Sequence, residues 1–304
     1  MKLSIIILSY KSERFLINCL KRINFNRPYE IIIVDNDHNL LLMEKAGKIA
    51  NVRILPFKGN LGFASGNNRG IKAARGEYIL ALNADAFVTK NYIKKLVDFL
   101  DQHKDFSSVQ GKLLSLKNKK IIDATANYLT RSGFAFAENH LLKDKKPKSA
   151  EVFGVCAAAA LYRRSSLEKV SNEGEYFDKD FFAYLEDIDL DWRLRLYGFR
   201  AYYLDNAIAY HYREATTNHR FRRKQALRNV ILMNFKNDSV INLIWKLPFY
   251  FILNFIFLFP SNLKDFFSLL PKMRAKRKII SKNKKIKNIN KWLKPFPRRH
   301  LTKI

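Results

Sequence analysis

The sequence predicts an α/β protein with a mostly parallel central sheet, helices on both faces of that sheet, and a helical extension at the C-terminus. Apolar runs of strand length alternate with helix-length segments through the first hundred residues, a pattern typical of parallel sheets with right-handed connections. The net charge of +29 is unevenly distributed, because residues 216–304 carry 22 Lys and Arg against 2 Asp and Glu. We therefore divide the chain into a sheet domain, residues 1–215, and a basic, aromatic-rich tail, residues 216–304.

The first part of the chain is predicted to contain four strand–helix pairs. The strands cover residues 3–8, 30–34, 52–55 and 77–82, and the helices cover about 12–24, 39–50, 64–74 and 91–102. The run Tyr78 to Leu82 is apolar throughout, which is typical of a strand buried on both faces. In an α/β sheet such a strand delivers the residues that follow it to the ligand-binding edge.

The middle of the chain is predicted to be less regular. Residues 111–150 are interpreted as strand insertions that bound an acceptor site. The small residues of 154–164 indicate either close passage of a backbone or substrate or an ordinary buried strand, and both interpretations stay open. The further predicted elements are a helix from Ser165, a helix from about Glu186 to a C-cap at Tyr197-Gly198, and a strand at 200–204 that leads to the segment 208–213.

Polar residues follow three of the predicted strands at the point where each strand ends. They are Ser9-Tyr10, Asp35-Asn36 and Asn83-Ala84-Asp85. Because parallel strands end at a shared edge, we expect these clusters to converge on one ligand crevice. Asp85 also has a purely structural interpretation, as a cap for the helix predicted from residue 91.

A turn rich in glycine and asparagine, residues 58–70, precedes the third predicted helix. Its candidate ligand-binding residues are Asn60, Gly62, Phe63 and Asn67. Glycines let the backbone approach a ligand closely, and helix N-termini offer free N–H groups to phosphate oxygens. The turn is neither a dinucleotide fingerprint nor a Walker loop, because Gly-Lys-Ser/Thr is absent.

An acidic segment, residues 176–192, sets six carboxylates among aromatic and apolar residues. Acids at the start of a helix from Glu186 have a structural explanation in the helix dipole. The aromatic surroundings favour a second interpretation, in which burial raises the pKa of a carboxyl toward that of a general base. Asp187 and Asp191 lie four residues apart and should share one face of the helix.

His211 lies in the tyrosine-rich segment after the last predicted strand. A lone histidine in such a setting is usually a packed or exposed polar residue. Neutral imidazole also suits Mn²⁺-type ions, so a metal role stays open.

The tail combines an apolar segment, residues 241–260, with a run of basic residues. Its clean apolar stretch, 247–259, is too short to span a bilayer, so we expect an interfacial helix with Trp245 and Tyr250 near the headgroups of an anionic membrane. The alternative is a packed helix followed by a disordered basic end. Two distant cysteines, Cys19 and Cys156, indicate no disulfide framework and fit a reducing cytoplasm.

Taken together in chain order, these motifs resemble the family 2 glycosyltransferases of the GT-A fold, in particular bacterial rhamnosyltransferase-like members. The matching segments are Ser4–Tyr10, Val34–Asn36, Asn60–Ala64, Gly66–Asn68, Leu82–Asp85, Phe181–Leu190 and His211. The resemblance covers about 210 residues and depends on the ordered set, since each motif alone is a weak signal.

The resemblance implies inverting transfer of a sugar from a nucleotide-diphosphate sugar to an acceptor hydroxyl. It implies that Tyr10, Asp35 and Asn36 contact the nucleoside, and that Asp85 holds Mg²⁺ or Mn²⁺ against the diphosphate. His211 matches a position that completes the metal site in some members. Asp187 matches the catalytic base, and Glu186 either shares that work or binds acceptor.

Two departures from the family pattern bear on specificity. Ala84 stands where the metal motif usually carries proline or aspartate, so one carboxylate rather than two would hold the ion. Asn36 replaces an aspartate of some uridine-using relatives, which leaves the donor base open between uridine and thymidine. The signature of processive synthases is absent around Trp192, which favours addition of a single sugar.

The expected function is therefore a glycosyltransferase on the inner face of the plasma membrane, acting on a lipid-linked or cell-surface glycan. A non-catalytic glycosyltransferase-like binding protein is the alternative, because Asp85 stands alone in its motif. A nucleic-acid-binding protein is disfavoured, since it draws only on the basic tail and leaves the acidic segment unexplained. The sequence identifies neither the sugar nor the oligomeric state.

Overall fold

A computed structural model describes residues 1–172, 174–213 and 218–297. Its main sheet has ten strands, and a separate hairpin has two. In chain order the strands are β1 Leu3–Ser9, β2 Tyr29–Asp35, β3 Val52–Pro56, β4 Tyr78–Leu82, β5 Ala86–Val88, β6 Phe106–Ser115, β7 Ile122–Ala124, β8 Asn127–Leu129, β9 Ala135–Ala137, β10 Ala150–Val152, β11 Ala159–Arg163 and β12 Arg200–His211.

Helices cover the sheet and form the tail. They are α1 Leu16–Leu20, α2 Leu40–Gly47, α3 Gly62–Ala73, α4 Tyr92–Gln102, α5 Arg164–Val170, α6 Glu186–Leu196, α7 His219–Asn237, α8 Val240–Ile256 and α9 Ser261–Asn283. Two short 3₁₀ turns occur at Lys179–Phe181 and Asn290–Trp292.

The strand order β10-β12-β6-β11-β4-β1-β2-β3 confirms the predicted mostly parallel sheet. Strands β1 to β4 are joined by parallel pairings, with Ser9 opposite Asp35 at the end of β1 and β2. Strand β11 is antiparallel to β4 and β6, while β6 and β12 are parallel to each other. Two apolar clusters fill the space between the sheet and the helices.

Two predicted elements differ from the structure. The helix expected over 12–24 is regular only as α1, Leu16–Leu20. The strand expected at 200–204 is longer, because β12 continues to His211 with a register shift between Leu204 and Ile208. The predicted domain boundary at 215/216 lies outside the described residues.

The tail packs against the sheet domain. Val230, Ile231 and Met233 of α7 share an apolar cluster with Phe181 and Trp192, and helices α7 and α9 pack along each other. A 23-residue helix, α9, therefore occupies the first part of the region for which a disordered basic end was the alternative.

Tyr250 corrects one expectation for α8. Its side chain is buried, and its hydroxyl donates a hydrogen bond to the carbonyl oxygen of Ser132 at 2.5 Å. It therefore faces the core rather than lipid headgroups, whereas Trp245 is 52% exposed. Among the helices described, none combines the length and the apolar character needed to cross a membrane.

Candidate active site

Asp85 and His211 are brought together at the edge of the sheet. Strand β5 pairs antiparallel with β12, which sets His211 opposite Ala86, the residue after Asp85. The Nε2 atom of His211 lies 3.3 Å from Oδ1 of Asp85 and 3.4 Å from the amide nitrogen of Asn83. The two residues expected to hold a metal are therefore neighbours.

Asp123 holds the other side of the His211 ring. Its Oδ2 lies 2.8 Å from Nδ1 of His211, and its Oδ1 accepts a hydrogen bond from Arg213 at 2.7 Å. Burial alone would raise the pKa of Asp123, but His211 and Arg213 hold it well below its usual range. Burial alone would lower the pKa of His211, but the hydrogen bonds that its ring donates to Asp123 and Asp85 raise this pKa to about 9.

This donor set fits a divalent cation. A carboxylate oxygen and an imidazole nitrogen face each other, and a second carboxylate orients the ring from behind, as is usual for metal-bound histidine. The fit is modest, because the motif Asn83-Ala84-Asp85 contains a single carboxylate. Its Oδ1 atom, on Asp85, faces Nε2 of His211.

The ends of β1 and β2 form the neighbouring part of the site. Asp35 is buried, and its Oδ2 has no hydrogen-bond partner among the described residues. Ser9 shares a 2.6 Å hydrogen bond with Ser12, and its carbonyl accepts from the backbone of Asn36. Tyr10, the next residue, is partly exposed. An unpartnered buried carboxylate oxygen is a ready acceptor for a ligand hydroxyl.

Asn36 and Asn60 organise the glycine- and asparagine-rich turn. The Asn36 amide donates to Oδ1 of Asn60 at 2.7 Å, and its own Oδ1 accepts from the backbone of Leu61 at 2.9 Å. Asn60 Oδ1 also accepts from the backbone of Gly62. Both asparagines therefore shape the turn that opens α3.

Gly62, Phe63 and Asn67 lie on the first turns of α3. Gly62 has φ +76, and a Cβ there would lie 2.5 Å from the carbonyl oxygen of Phe182, so only glycine fits. Phe63 packs edge-on against Phe177, and Asn67 donates to the carbonyl of Phe63. This turn therefore contacts the acidic segment directly.

Asp187 and Asp191 share one partner, Asn127 of β8. The Asn127 amide nitrogen lies 3.1 Å from Asp187 Oδ2 and 2.9 Å from Asp191 Oδ2. This confirms that the two acids share a helical face. A Cβ on Gly154 would lie 2.0 Å from the Asp191 carboxyl, so the glycine at the start of segment 154–164 makes room for this acid.

Burial is the largest influence on the pKa values of Glu186, Asp187 and Asp191. It raises the pKa of Asp187 and raises the pKa values of Glu186 and Asp191 well above their usual ranges, with mutual repulsion adding to the effect for the latter two. Hydrogen bonds from Asn127 and from the backbone of Ala157 moderate the rise for Asp187. Asp187 is thus the least perturbed of three protonatable carboxyls.

Two consecutive residues, Ala157 and Ala158, connect Asp187 with the pair Asp85 and His211 through Asn83. The Ala157 N–H donates to Asp187 at 3.2 Å, and the Ala158 carbonyl accepts from the backbone of Asn83 at 2.9 Å. The expected base and the expected metal site are therefore joined through one short segment.

The other acids of segment 176–192 have cationic partners from the tail. Lys236 reaches Asp178 and Asp189, and Lys276 reaches Asp178 and Asp180. Burial alone would raise the pKa of Asp178, but Lys236 and Lys276 hold it well below its usual range. Glu175, Asp178 and Asp180 approach closely enough to suggest a metal site, but the lysine ammonium groups already neutralise them.

Sequence reasoning missed Asp123, Asn127 and Lys236. Asp123 interrupts an apolar run, Ile121-Ile122-Asp123-Ala124. A charged residue in such a run indicates a buried carboxylate that needs a partner, and this signal could have identified Asp123. Asn127 and Lys236 carry no such local signal, because their roles depend on partners 60 and 58 residues away in sequence.

Comparisons with known proteins agree with this geometry. Rhamnosyltransferase WbbL of Escherichia coli is 25% identical over 222 residues, which are 68% of this chain and 82% of that protein. The hexosyltransferase Agl10 of Haloferax volcanii, described as acting in low-salt glycan biosynthesis, is 28% identical over 197 residues, 64% of this chain and 61% of that protein.

A third relative, the poly(ribitol-phosphate) β-N-acetylglucosaminyltransferase TarS of Staphylococcus aureus, is 30% identical over 111 residues, 34% of this chain. The chain spans 19% of the length of TarS. A crystal structure of GalNAc-T7 with UDP, GalNAc and Mn²⁺ superposes with a TM-score of 0.58 at 14% identity, covering 78% of this chain and 48% of that one, and this shows the fold alone.

Residues 4–171, more than half of the chain, match the family described as glycosyl transferase family 2. The sheet order agrees with the GT-A fold predicted from the motifs. The chain therefore belongs to glycosyl transferase family 2.

Proposed function

We propose that the protein is an inverting glycosyltransferase that moves one sugar, a hexose or deoxyhexose, from a nucleotide-diphosphate sugar to an acceptor hydroxyl. The acceptor is a lipid-linked or cell-surface polysaccharide. The observation that carries the proposal is the placement of Asp187, partly buried and in no ion pair among the described residues, next to the segment that also binds Asn83 beside Asp85 and His211.

The nucleoside of the sugar donor would bind at the ends of β1 and β2. The unpartnered oxygen of Asp35 would accept from a ribose hydroxyl, and Tyr10 would pack on the base. Ser9, Asn36, Asn60, Gly62, Phe63, Asn67 and Asn83 would shape this half of the site, with Asn36 and Asn60 acting through the turn they hold.

Asp85 and His211 would hold Mg²⁺ or Mn²⁺ against the donor diphosphate. Such an ion supplies positive charge to a leaving nucleoside diphosphate. Because the protein offers few ligands, we expect the ion to bind the empty enzyme weakly and to bind better with the diphosphate present. The Mn²⁺ of the GalNAc-T7 structure, a distant fold relative, is consistent with this expectation.

Asp187 would take the proton of the acceptor hydroxyl as that oxygen attacks the anomeric carbon. Its raised pKa brings the carboxylate closer to the basicity that this step needs. Asn127 and the Ala157 N–H would fix the carboxylate in place. Glu186, next to it and more strongly perturbed, would bind the acceptor or share the proton.

The first experiment is a thermal-shift panel of UDP and dTDP with and without Mn²⁺, followed by transfer assays with their sugars. Asp187→Asn should lower kcat by about 10²–10⁴ while the nucleoside diphosphate still binds. Unchanged transfer in this variant would contradict the enzyme assignment and favour a non-catalytic binding protein.

The exposed face of α8 supports a further partner, an anionic membrane surface on the cytoplasmic side of the plasma membrane. Ile244, Trp245, Ile252 and Phe255 are all more than half exposed at helical spacing, and Arg223 lies over the ring of Phe257 at the end of the helix. Apolar residues edged by cations are typical of helices that lie in the lipid interface.

Point substitutions test this better than removal of the tail, because the tail shares a core with the sheet domain. Trp245→Ser with Phe255→Ser should reduce co-flotation with vesicles that contain anionic lipid. The matched control is Leu41→Ser, a residue 72% exposed on α2. Equal binding by the double variant and the control would contradict the membrane assignment.

A further inference from the structure

Three of the five residues before α6 adopt backbone conformations that residues with side chains rarely take. Phe182 has φ 63 and ψ −65, and the Ala183 N–H bonds to the Phe181 carbonyl at 2.7 Å, which defines a γ-turn of the rare positive-φ form. Tyr184 and Leu185 follow with φ 71 and φ 67. Such conformations persist only where surrounding contacts enforce them.

One side chain from the tail makes those contacts. The amide nitrogen of Asn229, on α7, donates to the carbonyl oxygens of Phe181 at 3.0 Å, Ala183 at 2.9 Å and Tyr184 at 2.7 Å. Asn229 is completely buried. Its Oδ1 accepts from Arg228, which itself donates to the carbonyl of Asp180.

The glycine- and asparagine-rich turn, residues 58–70, and the helix it opens also contact segment 181–185. The carbonyl oxygen of Phe182 accepts from the backbone of Ala64 at 3.2 Å, and Gly62 leaves the room for that contact. Leu185 is the N-cap of α6, so its conformation sets the direction in which Glu186 and Asp187 enter the site.

We propose that Asn229 is a positioning residue, which holds segment 181–185 in its strained form so that Glu186 and Asp187 face the donor site. The inference rests on the proposed function, in which Asp187 is the base. It makes the tail part of the catalytic apparatus, although Asn229 lies beyond residues 4–171, the part that matches the family.

The chain offers a matched control on the same helix. Asn234 is also completely buried, and its amide donates to the carbonyls of Gly133 and Val230, away from segment 181–185. We therefore compare Asn229→Ala with Asn234→Ala in the full-length protein. Asn229→Ser, which keeps a hydroxyl donor for one carbonyl, replaces Asn229→Ala if that variant fails to fold.

The first readout is hydrogen–deuterium exchange, which needs no substrate. Asn229→Ala or Asn229→Ser should speed exchange at residues 181–189, while Asn234→Ala should leave those amides at the wild-type rate. Equal protection of residues 181–189 in the Asn229 variant and in wild type would overturn the inference.

The second readout is the rate of sugar transfer. The donor is the sugar nucleotide of whichever nucleoside diphosphate, UDP or dTDP, binds in the thermal-shift panel. Displacement of a catalytic group by about 1 Å can cost about 100-fold in rate, so kcat of the Asn229 variant should fall by about that factor. Binding of the nucleoside diphosphate should stay close to wild type, and Asn234→Ala should keep most of its kcat. Equal kcat in both variants would overturn the inference, whereas absence of transfer by the wild type would count against the proposed function instead.

Discussion

Two groups of carboxylates in segment 176–192 have opposite electrostatic environments. Asp178 and Asp189 are buried against Lys236, with Lys276 and Arg193 as further partners. Glu186 and Asp191 are buried and Asp187 is partly buried, and no lysine or arginine of the described residues forms an ion pair with these three acids. Lys236 and Lys276 hold the pKa of Asp178 well below its usual range, whereas burial raises the pKa values of Glu186, Asp187 and Asp191.

Under the proposed function, this difference divides one acidic segment between structure and chemistry. The lysines of α7 and α9 neutralise the acids that face the tail, which ties the tail to the sheet domain. The acids on the other side of α6 face the sheet edge, where Asn127 supplies hydrogen bonds without a positive charge. A carboxylate with raised pKa and no cation is suited to accept a proton.

Removal of the lysine partner should have the largest effect. Lys236→Met leaves Asp178 and Asp189 with fewer counter-charges in a buried site, so the free energy of unfolding should fall by about 3–5 kcal/mol. Urea unfolding of the full-length protein measures this loss.

Lys282→Met is the matched control, because Lys282 is exposed on α9. Exposed substitutions of this kind usually change stability by less than about 0.5 kcal/mol. A similar small change for Lys236→Met would mean that the lysine contributes little and that the two carboxylate groups are not distinguished by charge pairing.

Two acids on α6 allow a direct test of the comparison, because Asp189 and Asp191 are both buried and lie two residues apart. Asp189→Asn weakens the pairs with Lys236 and Arg193, and should cost about 2 kcal/mol of unfolding free energy. Asp191→Asn removes a carboxyl that burial disfavours as an anion, and should gain about 1 kcal/mol at pH 7.5. If the unfolding free energy rose in both variants or fell in both, the division of these carboxylates into two groups would be contradicted.

The fold could be predicted from sequence because its signals are local. The runs that became β1, β2 and β4 are continuous and apolar, and α4 and α6 end within two residues of their predicted ends. The helix expected over 12–24 was too long, since the chain forms turns on both sides of Leu16–Leu20. Local pattern also could not show that α9 packs on α7, because that packing depends on partners far away in sequence.

The candidate site was predictable in part for the same reason. Asp85 and His211 come together because strand pairing follows from the fold, and Asp187 and Asp191 share Asn127 because helical spacing places them on one face. The sequence presented six acids as one cluster. Their division into two groups required the positions of Lys236 and Lys276, which no local motif encodes.

The smallest predicted effect is the pH dependence of the Asp191→Asn gain. An unfolded aspartate has a pKa of about 3.9, whereas burial holds the pKa of native Asp191 well above its usual range. Between these values the native protein binds a proton that the unfolded chain does not, so wild type loses stability as pH rises, by at most about 1.4 kcal/mol per pH unit for this group.

The asparagine variant lacks this proton uptake. Its advantage should therefore be near zero at pH 4 and grow toward pH 7.5, as measured by urea unfolding across that range. A constant difference would show that Asp191 is ionised in the native protein throughout, and that burial alone does not separate the two groups of carboxylates.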